Sequence, residues 1–170
     1  MKRKDIRAYL DFARPYCTAE VPGGFAHVER LAGRLEELSR GVAPEPLRPM
    51  LWFLAAFHGL RNRVAVDGQL RAAAMAFLKS IDWTDAQIAR GFIALARHVE
   101  EPMTVEEMIV HDAEHCEMFS VSGFARDTAG VTFRTPAGRR LAENYRARIR
   151  DAAWRGEALC ALSVEKDGEE

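Results

Sequence analysis

Three apolar helix stripes in this sequence each carry one side chain able to ligate a metal ion. His27 opens a stripe that runs on through Leu31, Leu35 and Leu38. His58 closes one made of Leu47, Leu51 and Leu54, and Asp112 interrupts one made of Val105, Met108, Ile109, Cys116 and Phe119. Residues three and four apart share a helix face, so each polar group is expected to point where its apolar neighbours do, toward the interior. A buried carboxylate without a partner costs several kcal/mol, which leaves Asp112 three solutions: protonation, a hydrogen-bonded or arginine partner, or a cation. The cation accounts for the two imidazoles as well, because imidazole nitrogen and carboxylate oxygen suit a divalent transition metal with water at the open positions. Each histidine taken alone has a plainer reading as a hydrogen-bonded core residue.

Other polar residues lie close to this set. His98, in "LARHVEE", sits beside the stripe of Ile88, Phe92, Leu95 and Val99. It reads as a general acid or base at the same cavity, as an extra ligand, or as a helix-end histidine favoured by the dipole. His111 and His115 have the i, i+4 spacing that can clamp a metal, but "HDAEH" is not the H-E-x-x-H pattern, and both are left out of the metal shell. Of the two, His115 is expected to look inward.

The elements that must position these groups are helical. Apolar periodicity predicts helices at residues 4–13, 25–39, 46–58, 69–79, 85–99, 105–119 and 137–162, separated by "VPGG", "RGVAPEP", "VDG", "EEP", "VSG" and "RTPAG". Thr84 and Thr104 stand at N-cap positions, and the second opens "TVEE" with Glu107 where a capping box needs it. Only "GVTF", residues 130–133, reads as extended. The expected fold is an all-α bundle of six or seven helices in a single domain over 1–170. Its core spans about 20–127, a C-terminal helix at about 137–162 packs on it, and 163–170 form a frayed tail.

Composition narrows the function classes. The chain has 170 residues, 48% of them hydrophobic and 29% charged, with a formal net charge of −1. That balance gives no bulk electrostatic footprint for a DNA or RNA polymer or for an acidic membrane surface. Three cysteines, at 17, 116 and 160, form no C-x-x-C pair, so neither a disulfide framework nor a thiolate zinc site is expected, and a reducing cytoplasm fits. The start is basic but lacks the apolar run of a signal peptide, and no segment is apolar enough to span a bilayer.

Four stretches, taken in order, resemble the HD superfamily of metal-dependent phosphohydrolases, particularly its small stand-alone bacterial members. "FAHVERLAGRLEEL" is similar to the first metal-ligand helix, with His27 as ligand and Arg30 in the arginine position that follows. "LWFLAAFHGL" occupies the place of the His-Asp doublet. "IALARHVEEPMTVEEMIVHDAEHCEMFSVSGFAR" resembles the later block, with a ligand Asp before Ala and a closing Gly-x-x-Arg that ends on Arg126, and "TPAGRRLAENYRARIRDAAWRGE" resembles the terminal helix. The likeness covers about 25–162. It departs at one decisive position: where the family has the Asp of the doublet, this chain has Gly59.

Carried over residue by residue, the resemblance implies His27, His58 and Asp112 as ligands of a divalent metal (Mn, Zn, Fe, Ni or Mg), or of a site that has lost it. It implies His98 as the acid or base, and Arg30 and Arg126 as phosphate contacts. Arg61 and Arg63 are further guanidinium donors, and Asp67 a candidate substitute for the missing carboxylate. The implied activity is hydrolysis of a small phosphorylated molecule or nucleotide, reduced by Gly59. The alternatives are a catalytically inactive HD-fold binding or regulatory module and, third, an oxygenase using two histidines and one carboxylate. Self-association is compatible with each.

Overall fold

The computed structural model describes residues 5–17, 24–116 and 131–154. Arg126, Phe119, Gly130, Cys160 and the expected tail at 163–170 lie outside the described residues, as do the predicted helix ends beyond 116 and 154. Within the described residues all regular structure is helical and no strand occurs. The α-helices are α1 (Ile6–Ala13), α2 (Gly24–Leu38), α3 (Arg48–Phe57), α4 (Arg61–Val66), α5 (Gly68–Ser80), α6 (Asp85–Arg97), α7 (Val105–His115) and α8 (Pro136–Trp154). The seven predicted helices are all present, and the short α4 is an addition, joined to α3 by a 3-10 turn at His58–Leu60. Residues 131–133, the described part of the stretch read as extended, carry no regular structure.

Alpha helix α3 is the central rod. Pro49 stands in its first turn, where no intrahelical N–H is needed, and Leu51 and every residue from Phe53 to Phe57 are buried. Such a helix has no polar face, which fits its packing against α1, α2, α6 and α7 at once. The outer helices are amphipathic. Helix α2 buries Val28, Leu31, Leu35 and Leu38, and α5 buries Leu70, Ala74 and Leu78, both at helical spacing. Leu47 departs from its predicted stripe: it is the N-cap residue of α3 and is 69% exposed.

Caps fix where the helices begin. Thr84 and Gln87 form the reciprocal capping box that starts α6. At α7 the Thr104 hydroxyl accepts from Glu107 N–H as predicted, but the Glu107 carboxylate accepts from Met103 N–H and from Nε and Nη2 of Arg97 instead of from Thr104 N–H. The correction has a simple cause, since the stronger cationic donor turns the carboxylate toward α6. Asp67 accepts from Gln69 and Leu70 N–H to start α5. Its carboxylate is therefore committed to a cap and lies 3.9 Å from Arg63, so the proposed substitution for the missing ligand does not arise.

Aromatic rings fill the space between α1, α3, α5 and α6. Phe12 stacks on Phe57 and Phe77, and the Trp83 indole N–H donates to the buried Tyr9 hydroxyl at 3.0 Å. Gly91 lets α6 approach α3 closely, since a Cβ there would stand 3.1 Å from the Phe53 ring. Cys17 is a free thiol. Among the described residues no helix is long and apolar enough to cross a membrane.

Candidate metal centre

Three ligand-competent side chains meet where α2, the end of α3 and the end of α7 come together. His27 projects from the first turn of α2, His58 from the turn that ends α3, and Glu114 from the last turn of α7. One ligand atom from each falls within 4.8 Å of the others, and this group could hold a metal ion. Glu114 Oε2 lies 2.8 Å from His27 Nε2 and 2.9 Å from His58 Nε2. Neither approach has the direction of a hydrogen bond, and Oε2 is buried from solvent without a hydrogen-bond donor. The separations are those of an ion pair while the angles are not, and the angles decide what the contact is worth.

The tautomers sharpen this. His98 Nδ1 is 2.8 Å from the carbonyl oxygen of Leu95, which can only accept, so that nitrogen carries the proton. His98 is fully buried, and burial first, then the neighbouring His58, pushes its pKa down to about 4, so the ring is neutral near pH 7. Its Nε2 is then an acceptor, and His58 Nδ1, 2.8 Å away, must be the donor. In a neutral His58 the lone pair of Nε2 then faces the Glu114 carboxylate oxygen. Lone pair against carboxylate is repulsive until a proton or a metal ion stands between them. Octahedral coordination with bonds of about 2.1 Å places neighbouring ligand atoms about 3.0 Å apart, close to both separations here. The residues therefore fit a transition-metal ion.

The sequence-derived set is thus brought together in part. His27 and His58 converge as expected, with ring centroids 5.4 Å apart. Asp112 does not join them. Its fully buried carboxylate accepts from Arg134 N–H, Thr135 N–H and the Thr135 hydroxyl at 2.7–2.8 Å, and it lies 3.1 Å from His111 Nδ1. Thr135 in turn caps α8 by accepting from Gly138 N–H. Asp112 is therefore the clasp between α7 and α8, and a methyl group at Gly138 would overlap its Oδ2.

Positions two apart on a helix differ by about 200° in direction, so Asp112 and Glu114 cannot serve one centre. Helix α7 is buried almost all round, from Glu106 to Ala113. A stripe consequently does not define its inner side, and Glu114, with Val110 four residues before it and Met118 four after, stands out no more than its neighbours do.

His98 is positioned to set the tautomer of His58. With both ring nitrogens engaged and no exposed surface, it is not placed to contact a substrate, which corrects its reading as acid or base. His111 is the more buried of the α7 histidines, the reverse of expectation, while His115 Nδ1 donates to the His111 carbonyl at 2.8 Å. Arg63 is spent on the Tyr16 carbonyl. Arg30 is exposed on α2 one turn beyond His27.

Burying His98 neutral has a pH consequence. Its folded pKa of about 4 lies below the 6.5 of a free imidazole, so below pH 6.5 the unfolded chain takes up a proton that the folded ring refuses. The stability this gives is full above pH 6.5 and is lost as pH falls toward 4. Between pH 7 and pH 5 the metal-free protein should lose about 2 kcal/mol from this residue, read by urea unfolding at the two pH values. His98→Gln should flatten that difference; an unchanged loss would assign it elsewhere.

Comparison with protein-family models, with curated proteins and with solved structures finds no match to this chain.

Proposed function

We propose that this chain is a metal-dependent hydrolase acting on a small phosphorylated molecule or nucleotide, with His27, His58 and Glu114 holding one divalent cation. The observation that carries the reading is the buried Glu114 oxygen set against two imidazole nitrogens without a hydrogen bond to either. The ordered likeness to the HD superfamily supplies the reaction class, and the all-helical fold agrees with it. A divalent cation at this position supplies Lewis acidity toward a phosphoryl oxygen and acidifies water at neutral pH.

The chain's own part is to present the ligands. Gly59 offers no carboxylate at the doublet, and Glu114 brings the negative charge from α7 instead. The relay from the Leu95 carbonyl through His98 places a proton on His58 Nδ1 and so makes Nε2 the nitrogen that a cation would meet. Arg30, exposed beside the first ligand, is the side chain we assign to phosphate, because a guanidinium offers paired planar donors. Arg126 keeps that role from the resemblance alone.

Phosphate release from a panel of nucleotides and sugar phosphates, with manganese, zinc, nickel or iron added singly, tests the reading. Slow, metal-dependent turnover is expected, lost in His58→Ala and in Glu114→Gln. A chain that binds metal yet releases no phosphate from any substrate would instead be the regulatory module. That second reading is favoured by one observation, the absence from His98 of any free nitrogen for proton transfer to substrate.

A further inference from the structure

A second cavity, of about 430 Å³, opens between α4, α5 and α6, and none of its lining residues belongs to the metal centre. Its walls are Val64, Phe92, Ile93, Leu95 and three alanines, and among the described residues the only polar side chains on it are Arg61 and Arg71. Among the described residues neither arginine has a carboxylate partner. Two guanidinium groups around one apolar hollow, with no acidic side chain in its lining, leave positive charge uncompensated where an anion could pair with it. Arg71 is already ordered, its guanidinium 5.3 Å over the Phe92 ring, so pairing with a ligand costs it less freedom than a solvated arginine would lose. Ile93 remains 59% exposed at the same opening, an apolar surface that a ligand body would cover.

We propose that this cavity binds a small organic carboxylate with a flat apolar body, its carboxylate on Arg61 and Arg71 and its body against Phe92, Ile93 and Leu95. The lining side chains offer only donors, so the ligand must bring acceptors. The apolar walls outnumber the two cations, so the ligand must be mostly hydrocarbon. The volume is within the range of small-molecule sites and too large for a bare inorganic anion to fill. This site stands whether or not the chain is a hydrolase.

The test uses benzoate as probe, with benzamide as its uncharged counterpart and inorganic phosphate as the anion without a hydrocarbon body. Each is titrated into the metal-free 170-residue chain at constant ionic strength and followed by amide chemical shifts, so that benzoate has no metal to ligate. Saturable benzoate binding is expected, with shifts confined to α4, the start of α5 and the 89–96 segment. Benzamide and phosphate should each bind at least about tenfold more weakly, because the charge-assisted bonds or the apolar contact are missing. Arg71→Met and Arg61→Met, both away from the core, should each weaken benzoate about tenfold while leaving the unfolding midpoint unchanged. Equal binding of benzoate and benzamide, shifts centred on α2 and α7, or full affinity in both arginine variants would overturn the proposal.

Discussion

Asp112→Ala should lower the unfolding free energy by about 3–5 kcal/mol, the largest loss expected of any polar substitution among the described residues. The carboxylate is fully buried and accepts from two backbone N–H groups and one hydroxyl of the segment that leads into α8. Alanine removes all three acceptor contacts together. Thr135 is itself 2% exposed, so its N–H and hydroxyl would be left facing a void instead of water. Each unsatisfied donor costs about 1–3 kcal/mol, and the α8 N-cap made by Thr135 loses its anchor as well. Urea unfolding at pH 7 is the measurement. A loss below about 1 kcal/mol would mean that α8 is held by its apolar contacts alone. Asp112→Asn, which keeps one acceptor oxygen, should fall in between.

Glu114→Gln should leave the chain folded and reduce affinity for zinc or manganese on the order of a hundredfold or more. Loss of a hydrogen-bonded group outside the ligand shell already costs 10–100-fold in metal sites, and here the only anionic ligand of the three is neutralised. Stability should hardly suffer, because the carboxylate is 31% exposed and its buried oxygen has no hydrogen bond to lose. Competition titration against a chromogenic chelator measures this directly. The contrast with Asp112 is diagnostic: one acidic residue of α7 carries the fold and the other the ligand role, and the two substitutions should separate stability from metal binding.

Much of this arrangement is legible in the sequence. Helix positions follow from periodicity and punctuation, because Leu31, Leu35 and Leu38 or Leu70, Ala74 and Leu78 each line a face that is in fact buried. His27 is legible for the same reason, standing in phase with a stripe that has one inner side, whereas His58 ends a helix buried nearly all round and is legible only as a polar group at the end of an apolar run. The choice between Asp112 and Glu114 is not. A helix buried on nearly every side has no single inward direction, and Asp112 faces α8 while Glu114 faces α2 and the end of α3.

Short α4 escapes notice because Arg61, Asn62 and Arg63 break the apolar pattern over its six residues. The role of His98 depends on a partner forty residues away in sequence, and no local signal reports such a pairing. Even the Thr104 box, correct in its N-cap, misleads over the Glu107 side chain, because a guanidinium from α6 competes for it.

X-ray absorption at the zinc edge, on the 170-residue chain loaded with one equivalent of zinc, tests the central claim most directly. The spectrum should show two imidazole rings by their outer-shell scattering and otherwise only oxygen, at about 2.0–2.2 Å, and the imidazole count should fall to one in His58→Ala. Sulfur at about 2.3 Å, or a spectrum that His58→Ala leaves unchanged, would contradict the assignment of His27, His58 and Glu114 as the metal centre.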